Sequence, residues 1–238
     1  MPEPLALLIV VIAAAIGFAI ANGFNDAANA IATVIGTRTL SPRAAITMAA
    51  CFNFAGAATG TAVTITIGEK IIAPEALTMS IVLAGTGAVI IWAILATHYG
   101  MPISLTHGLV AGLAGAGIAM AGSKVVLWGS ILTKVISPAG IAPLLGLVAG
   151  FLLMVAILWL FRGTALGKVR GVFSNLQIVS AAFLAYSHGK NDGQMPIALI
   201  SMALMTYYGY GKLHIPFWAV IVSAASISFG TAIGGRRV

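Results

Sequence analysis

An apolar stretch near the start of the chain, LALLIVVIAAAIGFAIANGFNDAANAIATVIGT at residues 5–37, decides the fold class. Its first part, up to Ala21, carries no charged residue, and about 20 mostly apolar residues suffice for a helix to cross the hydrocarbon core of a bilayer. No Lys or Arg precedes the stretch, and it contains no clear small-residue cleavage site. It is therefore predicted to be a first membrane helix rather than a removable signal peptide.

Composition extends this interpretation to the whole chain. Apolar residues make up 60% of the 238 and charged residues only 7%, whereas soluble proteins carry roughly 25% charged residues. So few charges cannot cover a water-exposed surface, and an all-α integral membrane protein in contact with the lipid bilayer is predicted. The net charge of +7 does not indicate a nucleic-acid partner, because the basic residues lie in short gaps between apolar runs.

Seven segments are long and apolar enough to be predicted as membrane crossings. They are Leu5–Thr37, Ala44–Ile67, Ala76–Thr97, Ser104–Ala121, Ile141–Phe161, Ser174–Thr206 and Ile215–Gly234. The first and the sixth exceed the bilayer thickness, and each carries a polar interruption near its middle. The stretch Val125–Ser137 is too short to span and is predicted to lie at an interface or to form a half-helix.

The basic residues predict the orientation. With the N-terminus outside, more of them lie in cytoplasmic loops than in outer ones, as the positive-inside rule requires. The predicted cytoplasmic set is Arg38, Arg43, Arg162, Lys168, Arg170, Arg236 and Arg237, and the outer set is Lys70, Lys124, Lys134 and Lys212. The protein is thus predicted to be a multi-pass protein of the cell membrane.

An internal repeat links the two overlong segments. Gly23-Phe-Asn-Asp26 recurs as Gly189-Lys-Asn-Asp192, at an offset of 166 residues. An odd number of predicted crossings separates the copies, so the second copy runs in the opposite sense. This is the inverted-repeat arrangement of secondary transporters, in which broken helices hold the substrate near the bilayer midplane.

The repeat predicts the organisation of the chain. Residues 1–161 form a first membrane repeat, residues 162–173 a basic cytoplasmic loop, and residues 174–238 the start of a second, inverted repeat. The repeat partner of Ser104 would fall beyond Val238. The second repeat is therefore expected to be truncated, either because the chain is a fragment or because a second polypeptide completes it.

Two acidic residues inside the apolar segments are the main candidates for chemistry. Asp26 and Asp192 each follow an asparagine, Asn25 or Asn191. A charge at the bilayer centre costs from about 2.5 to more than about 10 kcal/mol, so such residues usually face a water-filled functional site. Their oxygens can hold Na⁺ or a proton, and N–H groups freed at a helix break can bind an anion. The bland alternative is that each Asp caps a half-helix and binds no ligand.

Further candidates accompany these pairs. Asn29 lies three residues after Asp26 and hence on the same helix face, and Gln194 lies two residues after Asp192. In the stretch Met101-Pro-Ile-Ser-Leu-Thr-His107, Pro102 is predicted to break the chain. Three donors then stand at a helix start, where an oxyanion binds well, although plain helix capping explains them equally. The donors are Ser104, Thr106 and His107.

These motifs resemble the PiT-type inorganic phosphate transporter family. The resemblance rests on Gly23–Ala30, on the Pro-Ile-Ser-Leu-Thr-His stretch and on Tyr186–Gln194. It implies a homodimeric symporter that moves phosphate with Na⁺, or with H⁺ when phosphate travels as a metal complex, and it needs no cofactor beyond that coupling ion. It also implies a set of phosphate and ion ligands. They are Asn25, Asp26, Asn29, Ser104, Thr106, Asn191, Asp192 and Gln194, with Asp26 and Asp192 as candidate Na⁺ ligands.

The chain departs from the family pattern in three places. Leu105 stands where the family usually has Ser or Thr, and Met195-Pro196 follows Gln194 where a polar or small residue is common. The second Ser/Thr-His hairpin of the family is not reached before Val238. A transport-inactive fragment that needs a partner chain is therefore an open alternative.

Other functions remain to be weighed. A cation/proton antiporter could also use the Asn-Asp pairs, although the Ser/Thr helix start favours an anion. An enzyme is not expected, because His107 and His188 lack the spacing of known metal motifs and no G-x-S-x-G sequence occurs. The residues do not separate Na⁺ from H⁺ coupling.

Overall fold

The computed structural model describes residues 3–99, 101 and 103–235. Within these residues the architecture is helical, as predicted, with one isolated β-bridge between Ile72 and Val126. The helices are α1 (Leu5–Gly36), α2 (Pro42–Ala57), α3 (Ala62–Lys70), α4 (Met79–His98), α5 (Leu105–Ala121), α6 (Trp128–Ile131), α7 (Ser137–Phe161), α8 (Leu166–Asp192), α9 (Gln194–Tyr208) and α10 (Phe217–Gly234). The predictions for Pro102, Arg236 and Arg237 lie outside the described residues.

Helix α1 runs without interruption through Asn25 and Asp26 for 32 residues, which corrects the expected break in the first copy of the repeat. Alanines surround the pair, and Ala is the best helix former. The backbone N–H groups at this point are used inside the helix, so only side chains can meet a ligand there.

The second copy of the repeat is interrupted, but by a single residue. Helix α8 ends at Asp192 and α9 begins at Gln194, with Gly193 between them in a helical backbone conformation. Pro196 explains the interruption, since a proline in a helix cannot donate to the carbonyl four residues earlier, here that of Asp192. The equivalent position in the first copy is Ala30, which makes that bond and lets α1 continue.

The clearest break lies in the second predicted span, where no break was predicted. Helices α2 and α3 meet at an angle of 60° across Ala58–Thr61 and form either one broken span or a re-entrant loop. Gly60 has a φ of +92°, a backbone conformation that residues with a Cβ atom rarely adopt. The segment predicted as one crossing, Ala44–Ile67, is therefore two helices.

Helices α1 and α10 cross at glycines. A Cβ added to Gly23 would collide with the backbone carbonyl of Ile227, and one added to Gly230 would collide with the carbonyl of Ile20. Each glycine thus lies against the residue three positions before the other. Small residues allow this close backbone approach between membrane helices.

A matching crossing joins α2 and α8. A Cβ on Gly189 would collide with the carbonyl of Asn53, and one on Gly56 would collide with the carbonyl of Tyr186. Again each glycine lies against the residue three positions before its partner, and Gly189 follows Gly23 by the repeat offset of 166 residues. Two crossings of the same geometry therefore pair the first helix of each copy with a helix of the other.

The core and the lipid-facing helices separate clearly. Residues 194–205 of α9 are buried on all sides, and they pack in the main core with α1, α3 and α4. Helix α7 has no buried residue, as expected of a helix that faces lipid or another chain.

Two predicted segments between the membrane crossings have different bounds in the structure. Residues 128–161 form one continuous helical segment of 34 residues, with a π-helical turn at Leu132–Ile136, so Val125–Ser137 is not a separate half-helix. Pro138 follows that turn, and the extra backbone residue absorbs its missing donor. The predicted loop 162–173 narrows to Arg162–Ala165, because α8 begins at Leu166.

By length and apolarity, the described residues contain four helices that can cross a membrane, or five if α2 and α3 count as one span. Helix α5 is shorter than a full span at 17 residues, and the predicted sixth crossing is divided between α8 and α9. The predicted count of seven is not reproduced by this criterion. The opposite sense of the second copy stays a prediction.

Candidate functional site

Three side chains from both copies of the repeat meet where α1 lies beside α8. The Nε2 atom of His188 is 3.4 Å from an Asp26 carboxylate oxygen and 3.7 Å from one of Asp192. Their ligand atoms all lie within 4.8 Å of one another. About a fifth or less of each side chain is exposed, 21% for Asp26, 19% for Asp192 and 16% for His188. The structure thus brings together the two aspartates that the sequence singled out, and adds a histidine that it did not.

Each aspartate of the cluster contacts a residue from the other copy of the repeat. Asn22, which is fully buried, donates from Nδ2 to Asp192 at 3.4 Å. Asn22 and His188 are separated by 166 residues, as are Asp26 and Asp192. Each aspartate is therefore met by the residue that stands four positions before the aspartate of the other copy. We call Asn22, Asp26, His188 and Asp192 the carboxylate cluster.

Hydrogen bonds from two neighbouring helices hold the His188 ring. Its Nδ1 lies 2.8 Å from Oδ1 of Asn53, and Nδ2 of Asn53 donates to the Thr231 hydroxyl at 2.7 Å. Asn53 and Thr231 are buried. The imidazole is thus oriented by α2 and α10, the two helices that cross α8 and α1 at the glycines.

Two other predicted ligands lie on α1. Asn29 donates from Nδ2 to Asp26 at 3.1 Å, so it orients that carboxylate. Asn25 is half-buried on the same helix, and α1 places it next to Asp26 in the chain.

A cavity of about 350 Å³ adjoins the carboxylate cluster. It lies among the start of α3, the start of α5, the π-helical turn and the end of α8. Four predicted site residues line it, and Lys134 joins them from the π-helical turn. The four are Thr106, His107, Asn191 and Asp192. Asp192 therefore belongs both to the cluster and to the cavity wall.

Ser104 acts as a helix cap. Its hydroxyl oxygen accepts from the backbone N–H of His107 at 3.3 Å, and it lies 2.6 Å from Nδ1 of the same residue. This contact fixes the His107 ring beside the cavity. Leu105, the first departure from the family pattern, is 2% exposed and packs in the core.

Gln194 faces the break between α2 and α3 and not open space. Its Oε1 accepts from the backbone N–H of Val63 at 2.9 Å and of Thr64 at 3.3 Å, and its Nε2 lies 3.4 Å from the carbonyl oxygen of Thr59. The residue is 2% exposed. The amide thus holds the start of α3, which in turn lines the cavity. The role of Gln194 as a direct ligand stays a prediction.

The predicted residues therefore fall into distinct places. Asp26 and Asp192 meet in the cluster, Asn29 supports it, and Gln194 caps α3. Asn22, His188 and Lys134 were missed as site residues, although the repeat offset relates the first two to each other and places each one helical turn before an aspartate.

The amino-acid sequence of the chain is similar to those of known proteins. The model of the phosphate transporter family matches residues 22–238. The chain belongs to the phosphate transporter family. This confirms the resemblance drawn from the motifs. The family consists of transporters, not enzymes, and this member is a multi-pass membrane protein.

Several relatives share most of this chain. A probable low-affinity inorganic phosphate transporter of Bacillus subtilis (strain 168) is 37% identical over 98% of this chain and 71% of its own length. A relative of the same name from Mycobacterium leprae (strain TN) is 36% identical, again over 98% of this chain but only 57% of its own length. One from Streptomyces halstedii is 43% identical over 78% of this chain and 87% of its own length. The chain thus spans little more than half of some relatives of this family.

A solved structure shares the fold. It is described as the sodium-dependent phosphate transporter and superposes with a TM-score of 0.81, covering 98% of this chain and 76% of that one. The sequence identity is 23%, so the match shows the same fold and leaves ligands to be argued from this chain's own residues.

Proposed function

We propose that this chain is a secondary transporter that moves inorganic phosphate across the membrane in symport with Na⁺ or H⁺. The observation that carries the proposal is the double position of Asp192. It belongs to the carboxylate cluster, which suits a cation, and it lines the cavity, which suits an oxyanion. The membership of the chain in the phosphate transporter family supports phosphate as that oxyanion.

The cavity offers phosphate donors from several directions. The α5 start contributes Thr106 and His107 together with the positive end of the helix dipole. Lys134 adds a full positive charge, and the Asn191 amide can donate from the end of α8. A phosphate ion that still carries a proton can donate a hydrogen bond from its O–H group to the carboxylate of Asp192. Fully ionised sulfate has no such donor and would be repelled by that carboxylate.

The shared aspartate explains why the two solutes should move together. Without a cation, the two carboxylates of the cluster repel an anion in the adjacent cavity. A bound Na⁺ or proton removes one of those negative charges and lowers the repulsion. By linkage, phosphate in the cavity raises the affinity for the cation by the same factor. In this proposal Asp26 and Asp192 hold the coupling ion, and Asn25 and Asn29 support them.

The matched helix crossings support the rest of the mechanism. Each aspartate lies on a helix that packs by glycines against a helix of the other copy. The two crossings thus repeat one arrangement in both copies, as alternating access by inverted repeats requires. The inverted sense of the second copy, the homodimer and the external N-terminus belong to the same proposal. They rest on the sequence repeat, on the family resemblance and on the distribution of basic loops.

The test is uptake of radiolabelled phosphate into proteoliposomes that contain this chain, with a Na⁺ gradient, a pH gradient or neither. Saturable uptake driven by one gradient, and abolished in Asp192→Asn, is the expected result. Glu75→Gln is the matched control, because Glu75 is an exposed acid outside the site, and it should leave uptake unchanged.

Two outcomes would contradict the proposal. Cation exchange that runs at the same rate without phosphate would indicate an antiporter. No uptake by folded protein would show that the chain does not transport phosphate by itself.

A further inference from the structure

We propose that a groove between α2 and the end of α10 binds one anionic phospholipid, with the headgroup phosphate on Arg43 and an acyl chain along the apolar wall. The groove encloses about 930 Å³, which lies near the upper end of the range of ligand pockets in proteins, about 300–1,000 Å³. It shares no lining residue with the cavity beside the carboxylate cluster. The inference therefore goes beyond the proposed symport and does not depend on it. We call this site the α2–α10 groove.

The α2–α10 groove follows one side of α2. Its α2 residues recur every three or four positions, as residues on one face of a helix do, and the end of α10 forms the other wall. A Cβ added to Gly235 would lie 2.8 Å from Cγ1 of Ile46, so the two walls touch at the floor. The lining residues include Arg43, Ile46, Ala50 and Cys51 from α2, and Ala232 and Gly235 from the end of α10.

Beyond Arg43 the wall of the groove suits an acyl chain. Ile46, Ala50 and Ala232 are apolar, and a free cysteine such as Cys51 behaves as a small apolar residue. Thr47 also lines the groove, but its hydroxyl already donates to the carbonyl of Arg43 at 2.9 Å. The wall therefore offers an acyl chain apolar contacts and leaves no hydroxyl without a partner.

Arg43 stands at one end of the groove with an unpaired charge. Its side chain is exposed, and within the described residues its guanidinium has neither a salt bridge nor a hydrogen bond. None of the described acidic residues lines the groove. A guanidinium binds a phosphate group through two parallel N–H···O bonds. The charge that is missing at this end of the groove is thus the one that a phospholipid headgroup carries.

The Arg43 end of the groove belongs to the membrane face that is predicted to be cytoplasmic. Arg38 lies in the short connection between α1 and α2, is exposed, and likewise has no ion-pair partner among the described residues. Basic pockets between membrane helices on this side bind anionic lipid headgroups, and the cytoplasmic leaflet supplies such lipids. A zwitterionic lipid would make the same apolar contacts without the net attraction to the arginines.

Charge also argues against a second copy of the chain as the occupant. The chain carries a net charge of +7. A second copy seated on the groove with the same membrane orientation would bring its own arginines to the same membrane face, where like charges repel. An anionic lipid instead neutralises the charge that Arg43 leaves unpaired.

The experiment titrates the full detergent-purified, delipidated chain with phosphatidylglycerol or with phosphatidylcholine of the same acyl chains, and native mass spectrometry counts the bound lipids. One phosphatidylglycerol per chain should bind at least about fivefold more tightly than phosphatidylcholine, since each arginine near an anionic headgroup contributes about that factor. Arg43→Gln should weaken phosphatidylglycerol binding about fivefold and leave phosphatidylcholine binding unchanged. Arg170→Gln is the matched control, because Arg170 is an exposed arginine on α8 outside the groove.

Cys51 provides a second readout that needs no variant. It is the single cysteine of the chain, it is exposed, and it lies eight residues, or about 12 Å, along α2 from Arg43. A bound acyl chain should therefore slow the alkylation of Cys51 by a small thiol reagent. Inorganic phosphate, which matches the headgroup but has no acyl chain, should leave the alkylation rate unchanged.

Three results would overturn the proposal. The first is equal affinity for the two lipids, and the second is unaltered phosphatidylglycerol binding in Arg43→Gln. The third is an unchanged alkylation rate of Cys51 while phosphatidylglycerol is bound, which would place the lipid elsewhere. Protection of Cys51 in lipid-free dimers, and not in monomers, would also contradict it, because a second copy of the chain would then cover the groove.

Discussion

Gln194→Leu tests the assignment of this residue as the support of the α3 start. The substitution keeps most of the side-chain volume and removes the amide. Because residue 194 is 2% exposed, water cannot easily replace the lost hydrogen bonds. The start of α3 should therefore lose its anchor on α9, and the stability of the whole protein should fall.

The size of the effect follows from the bonds that are lost. Leucine leaves the N–H groups of Val63 and Thr64 without the acceptor that lay 2.9 and 3.3 Å away. An unsatisfied buried donor costs about 1–3 kcal/mol, and the longer bond belongs at the low end of that range. We expect a loss of about 2–4 kcal/mol in the free energy of unfolding.

The assay is reversible unfolding of the detergent-solubilised protein by sodium dodecyl sulfate, followed by circular dichroism. Gln177→Leu is the matched control. The amide of Gln177 also bonds three partners, Thr33, Thr37 and Thr39, but those bonds are exposed or partly exposed, so the control should lose less than about 1 kcal/mol. Equal losses in the two variants would show that burial of the unsatisfied donors does not matter and would contradict the assignment of Gln194.

Three further substitutions probe a helix crossing and the cavity. Gly189→Ala should destabilise by about 1–3 kcal/mol in the same unfolding assay, because its methyl group meets backbone, while Gly115→Ala, which has open space, should not. Lys134→Gln should raise the KM for phosphate uptake with little change in kcat, and Lys124→Gln should change neither. Thr106→Val should weaken phosphate binding measured with radiolabelled phosphate, and unaltered affinity would remove Thr106 from the site.

Much of the architecture could be predicted from composition and spacing. The low fraction of charged residues predicts a membrane protein. The ends of α4 and α10 lie close to those of the predicted spans, because apolar runs and polar gaps mark them. The break between α2 and α3 could not be predicted in this way. It depends on Gln194, which lies about 130 residues away and supplies the hydrogen bonds that the broken helix lacks.

The same contrast holds at the site. Asp26 and Asp192 stand out because a charge in an apolar segment is costly, and the duplicated motif pairs them. Asn22 and His188 could have been found by asking which residues share both the repeat offset and a helix face with the aspartates. Lys134 could not, since only the continuous helix through the π-helical turn brings it to the cavity.

In the proposed function, phosphate and its coupling cation bind side by side, and each strengthens the binding of the other across Asp192. Its most direct test is equilibrium binding of radiolabelled phosphate to the purified chain, measured at several Na⁺ concentrations and at several pH values. Saturable binding is expected, with an affinity that rises with Na⁺ or with proton concentration, and Asp192→Asn is expected to abolish this dependence. Phosphate affinity that is independent of both cations in the unaltered protein would contradict the claim.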